Sequence, residues 1–216
     1  MNIRGAIFDL DGTILDSMGI WASIASRYLR SLGIQPRADV DDVVKTLSME
    51  DAARYFIREY HVSRSVPVIV REVCGMIETF YRETVPLKPG AAQLLAWLQQ
   101  KGVQICAATS GDKTLAEAAL SRCGVLPYFK RIFTCAEVGH GKEEPIIYET
   151  ARAFLGTQTA ETVVFEDALY ALRTAKAAGF PTAAVADPSS EQDREAIRLC
   201  ADVYLHTLMD WVRIYG

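Results

Sequence analysis

The chain has 216 residues, half of them hydrophobic and 23% charged, with a net charge of −4 and a mean hydropathy of +0.09, enough for one good-sized core or for one core with a smaller appended unit. This acidic balance leaves no basic footprint, which argues against nucleic acid or an acidic membrane surface as partner. No apolar run reaches signal-peptide length at the amino terminus or the roughly 20 residues that span a bilayer, and the five cysteines (Cys74, Cys106, Cys123, Cys135, Cys200) form no C-x-x-C pair and sit mostly in apolar segments, so a soluble cytoplasmic protein with buried, reduced thiols is expected.

The first predicted element is an apolar strand over residues 3–8, within RGAIFDLDGTILDS, where two carboxylates one residue apart, Asp9 and Asp11, precede a Gly-Thr pair. From residue 16 to about 84 every periodic segment reads as helix. Trp21, Ile24, Ala25, Tyr28, Leu29 and Leu32 follow the i, i+3, i+4, i+7 spacing of one apolar face, and a later helix carries Pro67 in its first turn with Val70, Val73, Met76, Ile77 and Phe80 at similar spacing. After Pro86 the pattern alternates: helix 91–100, strand 103–108, helix 114–123, strand 131–134, helix 146–155, strand 162–165, helix 169–178 and strand 182–186. Continuously apolar strands separated by helices are the signature of a parallel sheet covered on both faces. The expectation is a doubly wound, Rossmann-like α/β core made of residues 1–15 and 85–216, with an all-helical insert at 16–84 and a hinge where the two ends of that insert meet.

In open parallel sheets ligands sit beyond the carboxyl ends of the strands, where loops converge and helix amino termini point. Three predicted strands end there in polar clusters: Asp9 and Asp11, Thr109 and Ser110, Glu166 and Asp167. Alternate residues of an extended chain share a side, so both aspartates can face one cavity while Leu10 turns into the core, and Gly12 permits a sharp turn with its amides toward the pocket. Clustered carboxylates repel, so Asp9, Asp11 and Asp167 need a cation; magnesium favours such oxygen ligands and a substrate phosphate. A calcium loop shares the D-x-D-G spacing, but its third oxygen ligand and terminal Glu are missing here and the pair follows a strand. Thr109 and Ser110 suit a phosphoryl oxygen; helix capping is their structural alternative, with Asp112 able to cap instead. Lys142, in GHGKEEPIIYE, precedes a helix and can bring its ammonium over the sheet edge, although a lysine between glycine and two glutamates is ordinarily a solvated surface residue.

Taken together, FDLDGTILDS, ICAATS, GKEEPIIY and VVFEDALYALRTAKAAGF, in this order and spacing, resemble the four motifs of the haloacid dehalogenase-like (HAD) hydrolase superfamily. The helical insert resembles its small helical cap, as in the phosphoglycolate phosphatase-like and β-phosphoglucomutase-like members, and the resemblance covers essentially the whole chain. It implies Asp9 as a nucleophile that forms an aspartyl-phosphate, and Asp11 as the acid that protonates the leaving alkoxide and then the base that activates water. It further implies that Gly12, Thr109, Ser110 and Lys142 surround the phosphoryl group. A Mg2+ site would be made by Asp9, the backbone carbonyl of Asp11, Asp167 and Glu166. Retention of Asp11 implies an ester oxygen as leaving group. The implied activity is a magnesium-dependent phosphatase for a small phosphorylated metabolite of the sugar or polyol phosphate class, acting as a monomer or homodimer.

Asp16, Ser17, Met18 and Trp21 open the insert and are candidates for contact with the leaving group, although the apolar face on which Trp21 falls favours cap core for it. Lys45 and Ser48 either bind a sugar hydroxyl or lie in solvent. Ala168, Leu169, Tyr170 and Ala171 stand where family members often carry Ser-x-x-Gly, and Glu143 and Ile146 where a proline and an acidic residue are frequent; both departures bear on the subfamily more than on the chemistry. A phosphomutase of the β-phosphoglucomutase type is the enzymatic alternative. Residues 45–51 resemble the cap of such mutases, but Met49 replaces the arginine that grips a second phosphate, and Ile20 and Trp21 stand where the mutases carry a cap histidine. A silent binding protein on the same fold is the alternative of a different class, and would bind magnesium and phosphate without turnover.

Overall fold

A computed structural model describes residues 3–45 and 47–216; Met1, Asn2 and Thr46, the last inside the stretch compared above with the mutases, lie outside the described residues. The chain divides into two compact units, Met1–Met18 with Val85–Gly216, and Gly19–Thr84.

The first unit is built on six strands: β1 (Gly5–Phe8), β2 (Gln104–Thr109), β3 (Ile132–Thr134), β4 (Thr162–Glu166), β5 (Thr182–Val185) and β6 (Val203–Leu205). They form one sheet in the order β3-β2-β1-β4-β5-β6 with every pairing parallel. Each of the first five is short and almost wholly buried, as a sheet covered on both faces requires. Period two sorts the side chains. Ile7, Cys106, Ala108 and Val164 pack with Ile147, Tyr148 and Ala151 of the helix Ile146–Leu155. On the opposite face Phe8 stacks on Phe165 with centroids 4.2 Å apart, and Phe165 meets Trp211 of the helix Met209–Tyr215 edge-on at 4.8 Å.

Phe8 is in register with Ala107 on one side and Phe165 on the other, so the carboxyl ends of β1, β2 and β4 lie abreast. This is also where the strand order reverses, between β1 and β4, the switch point at which doubly wound sheets open a crevice. The segments that lead out of and back into this unit run side by side: Asp16 N–H donates to the Pro86 carbonyl at 2.9 Å and Lys88 N–H to the Ile14 carbonyl at 2.9 Å.

Beyond shifts of one or two residues at element ends, the sequence reading lacks the edge strand β6, the two flanking helices Arg194–Cys200 and Met209–Tyr215, and the single helical turn Cys135–Val138. A three-residue strand, VYL, is too short to show a period. The thiols also differ from expectation. All five are free, but only Cys106 is buried, and burial pushes its thiol up to about 11. Cys74 is exposed because the buried stripe of its helix runs through Ile69, Val73 and Ile77, one position away.

The second unit is helical: Ile24–Ser31, Val40–Val44, Met49–Tyr60 and Val66–Thr79, the last continued by a π-helical turn over Phe80–Thr84. Its core joins Ala25, Tyr28, Leu29, Val40, Ala53, Phe56, Ile69, Val73 and Ile77, with Tyr28 and Phe56 rings 5.7 Å apart. The helix expected to run unbroken through Trp21 and Leu32 is interrupted after Trp21, where Ser23 turns back to donate its hydroxyl to the Gly19 carbonyl at 2.6 Å. That break takes Trp21 off the apolar face. It is 44% exposed and Ile20 is buried instead, so the reading of Trp21 as cap core is corrected. Among the described residues no helix is long and apolar enough to cross a membrane.

Candidate active site

The loop after β1 is folded around one carbonyl. Leu10, fully buried, accepts from the N–H groups of Thr13, Ile14 and Leu15, and Gly12 N–H donates to Leu15 at 2.9 Å. This turn puts Gly12 at φ +86°, and a Cβ there would lie 2.5 Å from Asp167 Oδ2, so both conformation and space demand glycine. The close approach ties the first motif to the end of β4.

Asp9, buried at the tip of β1, receives a hydrogen bond from Lys142 Nζ on Oδ1, while its Oδ2 is buried without a hydrogen-bond partner. Lys142 is buried rather than solvated, with its side chain 3% exposed. Its loop precedes the helix Ile146–Leu155 and is held by Thr174, whose hydroxyl donates to the Glu143 carbonyl at 3.3 Å. The same ammonium donates to Glu166 Oε1 at 2.5 Å. Glu166, the last residue of β4, also accepts from the Tyr148 hydroxyl on Oε1 and from the Asp167 and Ala168 amides on Oε2. One carboxylate oxygen each from Asp9, Glu166 and Asp167 lies within 4.8 Å of the others.

Asp11 is turned the other way. Its Oδ1 accepts from the Ser17 hydroxyl at 2.7 Å, and its Oδ2 is 3.0 Å from where a Cβ on Gly111 would stand. It therefore faces the loop after β2, where buried Thr109 accepts from the Gly111 amide at 2.9 Å and keeps its own hydroxyl proton to donate. Asp112, not Thr109 or Ser110, caps the following helix, accepting from Leu115 N–H at 3.0 Å. Ser110 is exposed, its hydroxyl 3.4 Å from Cys135 Sγ. Asp16 is exposed at the end of the same unit. Trp21 belongs to the helical unit, where its indole N–H donates to the Tyr81 hydroxyl at 3.3 Å. There Ser48 caps the helix Met49–Tyr60 through Asp51 N–H, and Lys45 and Met49 are exposed.

The structure thus gathers Asp9, Gly12, Lys142, Glu166 and Asp167 into one buried cluster, with Asp11 against Thr109 and Gly111. Three residues have no signal in the sequence pattern: Tyr148, which reads as an ordinary core aromatic, and Lys88 and Asp187, a buried pair at 2.7 Å beside the carboxyl end of β5.

Charge dominates the site. Burial, then the neighbouring carboxylates of Glu166 and Asp11, push Asp9 up to about 7, against the pull of Lys142. Burial and the charges of Asp9, Glu166 and Asp187 push Asp167 up to about 9. For Lys142 burial works to lower the value, but Asp9 and Glu166 outweigh it and keep the ammonium protonated. Among the described residues, Asp9, Glu166 and Asp167 all lie in the field of the one Lys142 ammonium. The oxygen-only donor set and the orphaned Asp9 Oδ2 fit a hard divalent cation, which would relieve both the repulsion and the desolvation.

A model of the haloacid dehalogenase-like hydrolases matches residues 3–179. The chain belongs to this family. Within the haloacid dehalogenase-like hydrolases it is similar to validoxylamine A 7'-phosphate phosphatase of Streptomyces hygroscopicus subsp. limoneus, 31% identical over 95% of this chain and 94% of the relative. It is also 30% identical to hexitol phosphatase A of Escherichia coli strain K12, over 96% and 93% of the two chains. In fold it is similar to CbbY from Rhodobacter sphaeroides, solved in complex with phosphate, with a TM-score of 0.72 and 23% identity over 95% of each chain.

Proposed function

We propose that this haloacid dehalogenase-like hydrolase is a magnesium-dependent phosphatase that hydrolyses a small phosphorylated carbohydrate, a sugar or polyol phosphate, in the cytosol through an aspartyl-phosphate. The observation that carries this reading is the buried Lys142 ammonium seated on Asp9 while the second oxygen of that aspartate has no partner in the protein. An aspartate so placed can be held anionic and aimed at phosphorus.

Asp9 attacks phosphorus and forms an acyl-phosphate bond as the phosphorus–oxygen ester bond breaks. Asp11, held by Ser17, gives its proton to the departing alkoxide. Water then attacks the same phosphorus, Asp11 takes back a proton, and the bond to Asp9 breaks to release inorganic phosphate. Lys142 and the Thr109 hydroxyl neutralise and orient the phosphoryl oxygens, which is most of what phosphoryl transfer asks of a protein. Asp9, Asp167 and the Asp11 carbonyl would hold Mg2+, which would supply positive charge to the phosphoryl oxygens when bound. Support for a carbohydrate substrate comes from the two relatives, one named for validoxylamine A 7'-phosphate and the other named a hexitol phosphatase.

The test is release of inorganic phosphate from a panel of sugar and polyol phosphates, with Mg2+ and with a chelator, alongside β-glucose 1-phosphate with a bisphosphate primer. Magnesium-dependent release from a sugar or polyol phosphate is expected. Accumulation of glucose 6-phosphate without phosphate release would make the protein a mutase instead, and binding without turnover of any compound would make it a silent member of the fold.

A further inference from the structure

The hydrogen bonding of Glu166 is complete within the protein. A carboxylate offers about four lone-pair positions. On Oε1, Glu166 accepts from Lys142 Nζ at 2.5 Å and from the Tyr148 hydroxyl at 3.1 Å; on Oε2 it accepts from the amides of Asp167 at 3.2 Å and Ala168 at 3.4 Å. By contrast, Asp9 Oδ2 has no partner, and among the described residues no hydrogen bond reaches the Asp167 carboxylate. The fourth position on Glu166 is filled by a side chain that nothing in the reaction uses. Tyr148 is fully buried in the helix Ile146–Leu155, packed against Ile7, Val164 and Phe180, and enters the site only through its hydroxyl.

We infer that Tyr148 is a positioning residue which, by completing the hydrogen bonding of Glu166, holds that carboxylate on Lys142 and away from the metal. This inference rests on the phosphatase reading for its catalytic consequence. Lys142 has three N–H donors; two are spent on Asp9 and Glu166, and the direction of those two bonds fixes where the third points. A Glu166 short of one donor would have a free lone pair and could turn toward a bound metal, and Lys142 would then lose the brace that sets its angle. The phenol suits this task because its ring is packed in the core and its hydroxyl alone reaches the carboxylate. Magnesium would thus be held by Asp9 and Asp167, with Glu166 serving the lysine.

The experiment is a double-mutant cycle on the full chain with Tyr148→Phe, which keeps the packed ring, and Glu166→Ala, which removes the acceptor, with Glu166→Gln measured alongside. Three quantities are read for each protein: Mn2+ binding by calorimetry, inorganic phosphate binding to the Mn2+-loaded protein, and kcat on the best substrate. Tyr148→Phe is expected to weaken phosphate binding and lower kcat about tenfold, the worth of a hydrogen bond to a charged group, while Mn2+ affinity stays equal or rises. Added to Glu166→Ala, Tyr148→Phe should change nothing further, since a residue acting only through another is silent once that other is gone. Phosphate affinity and kcat of Tyr148→Phe within twofold of the parent, Mn2+ affinity falling in step with them, or losses that multiply in the double variant would each overturn the inference. Asp167→Asn gives the contrast, with a loss of Mn2+ affinity of about a hundredfold expected; an equal loss in Glu166→Gln would make Glu166 a ligand and end the proposal. The two binding titrations need no turnover, so they judge the role of Tyr148 even if no phosphate ester is hydrolysed.

Discussion

The α/β unit carries charge inside itself, with Lys142 between Asp9 and Glu166 and Lys88 against Asp187, while the ion pairs described within the helical unit, such as Arg37 with Glu59, Arg54 with Glu50 and Asp51, and Arg82 with Glu78, lie at its surface. The same residue types do different physical work in the two places. A buried pair survives only if geometry and hydrogen bonding offset desolvation, and removing one partner strands the other charge. An exposed pair is screened by water and salt and can be exchanged without consequence. The internal charges therefore belong to chemistry and to fixing the sheet edge, and the helical unit is left free to vary the surface it presents.

The largest effect expected from breaking this arrangement is at Asp9. Asp9→Asn removes the nucleophile and one metal oxygen while keeping the shape, and kcat should fall about 10^4-fold or more with the circular dichroism spectrum unchanged. Near-full turnover in that variant would sink the covalent mechanism. Lys142→Ala comes next: kcat/KM should drop about 10^2- to 10^3-fold, as on loss of a charge-stabilising donor. Inorganic phosphate should also bind more weakly, and unchanged phosphate binding would return that lysine to a structural part.

Away from the chemistry, the comparison predicts a stability effect at Lys88. Its ammonium donates to Asp187 Oδ2 at 2.7 Å and to the Ala186 carbonyl at 2.8 Å, with both side chains buried. Lys88→Ala leaves a carboxylate unpaired in the interior and should lower the unfolding free energy by about 3–5 kcal/mol, measured by urea denaturation. The pH dependence follows the sign of the Asp187 shift. Burial pushes this carboxyl up, but Lys88 and the Ser189 hydroxyl and amide outweigh it and hold the group below its ordinary value of 3.8. A depressed folded value stabilises the protein above the unfolded value, and that stability is lost as pH falls through the folded one. The parent should therefore lose stability below about pH 4, and Lys88→Ala should lose less over the same interval; parallel curves for the two proteins would remove Lys88 as the cause.

How much of this was legible in the sequence follows the same division. Apolar runs such as GAIF and TVVF announce buried parallel strands because both faces of each strand are covered, and the carboxylates that end them are legible for that reason. Lys142 is not legible from its neighbours, since GKEE describes a solvated turn; only the strand order, which brings its loop over β1 and β4, buries it. Tyr148 and Lys88 are hidden for a further reason: a tyrosine in a core stripe and a lysine before Pro-Gly show nothing of the partners they find 18 and 99 residues away. In the helical unit the periodicity located the first and the last long helix, not Val40–Val44 or Met49–Tyr60, and it misplaced Trp21, because a break of one turn rotates a side chain from core to solvent without altering the spacing of the residues around it.

The smallest effect tests the other half of the comparison. Arg54 pairs with Glu50 at 3.1 Å and with Asp51 at 2.8 Å on the helix Met49–Tyr60, all three side chains more than half exposed. Each acidic partner keeps a second source of stabilisation without the arginine, since both lie in the first turn, where the helix dipole favours negative charge, and Asp51 also accepts from the Ser48 hydroxyl at 2.7 Å. Arg54→Ala should accordingly leave the thermal midpoint where it was, at low and at high salt alike. A loss approaching that of Lys88→Ala would mean that charges on the helical unit are structural after all, and the contrast between the two units would have to be drawn from packing rather than from solvation.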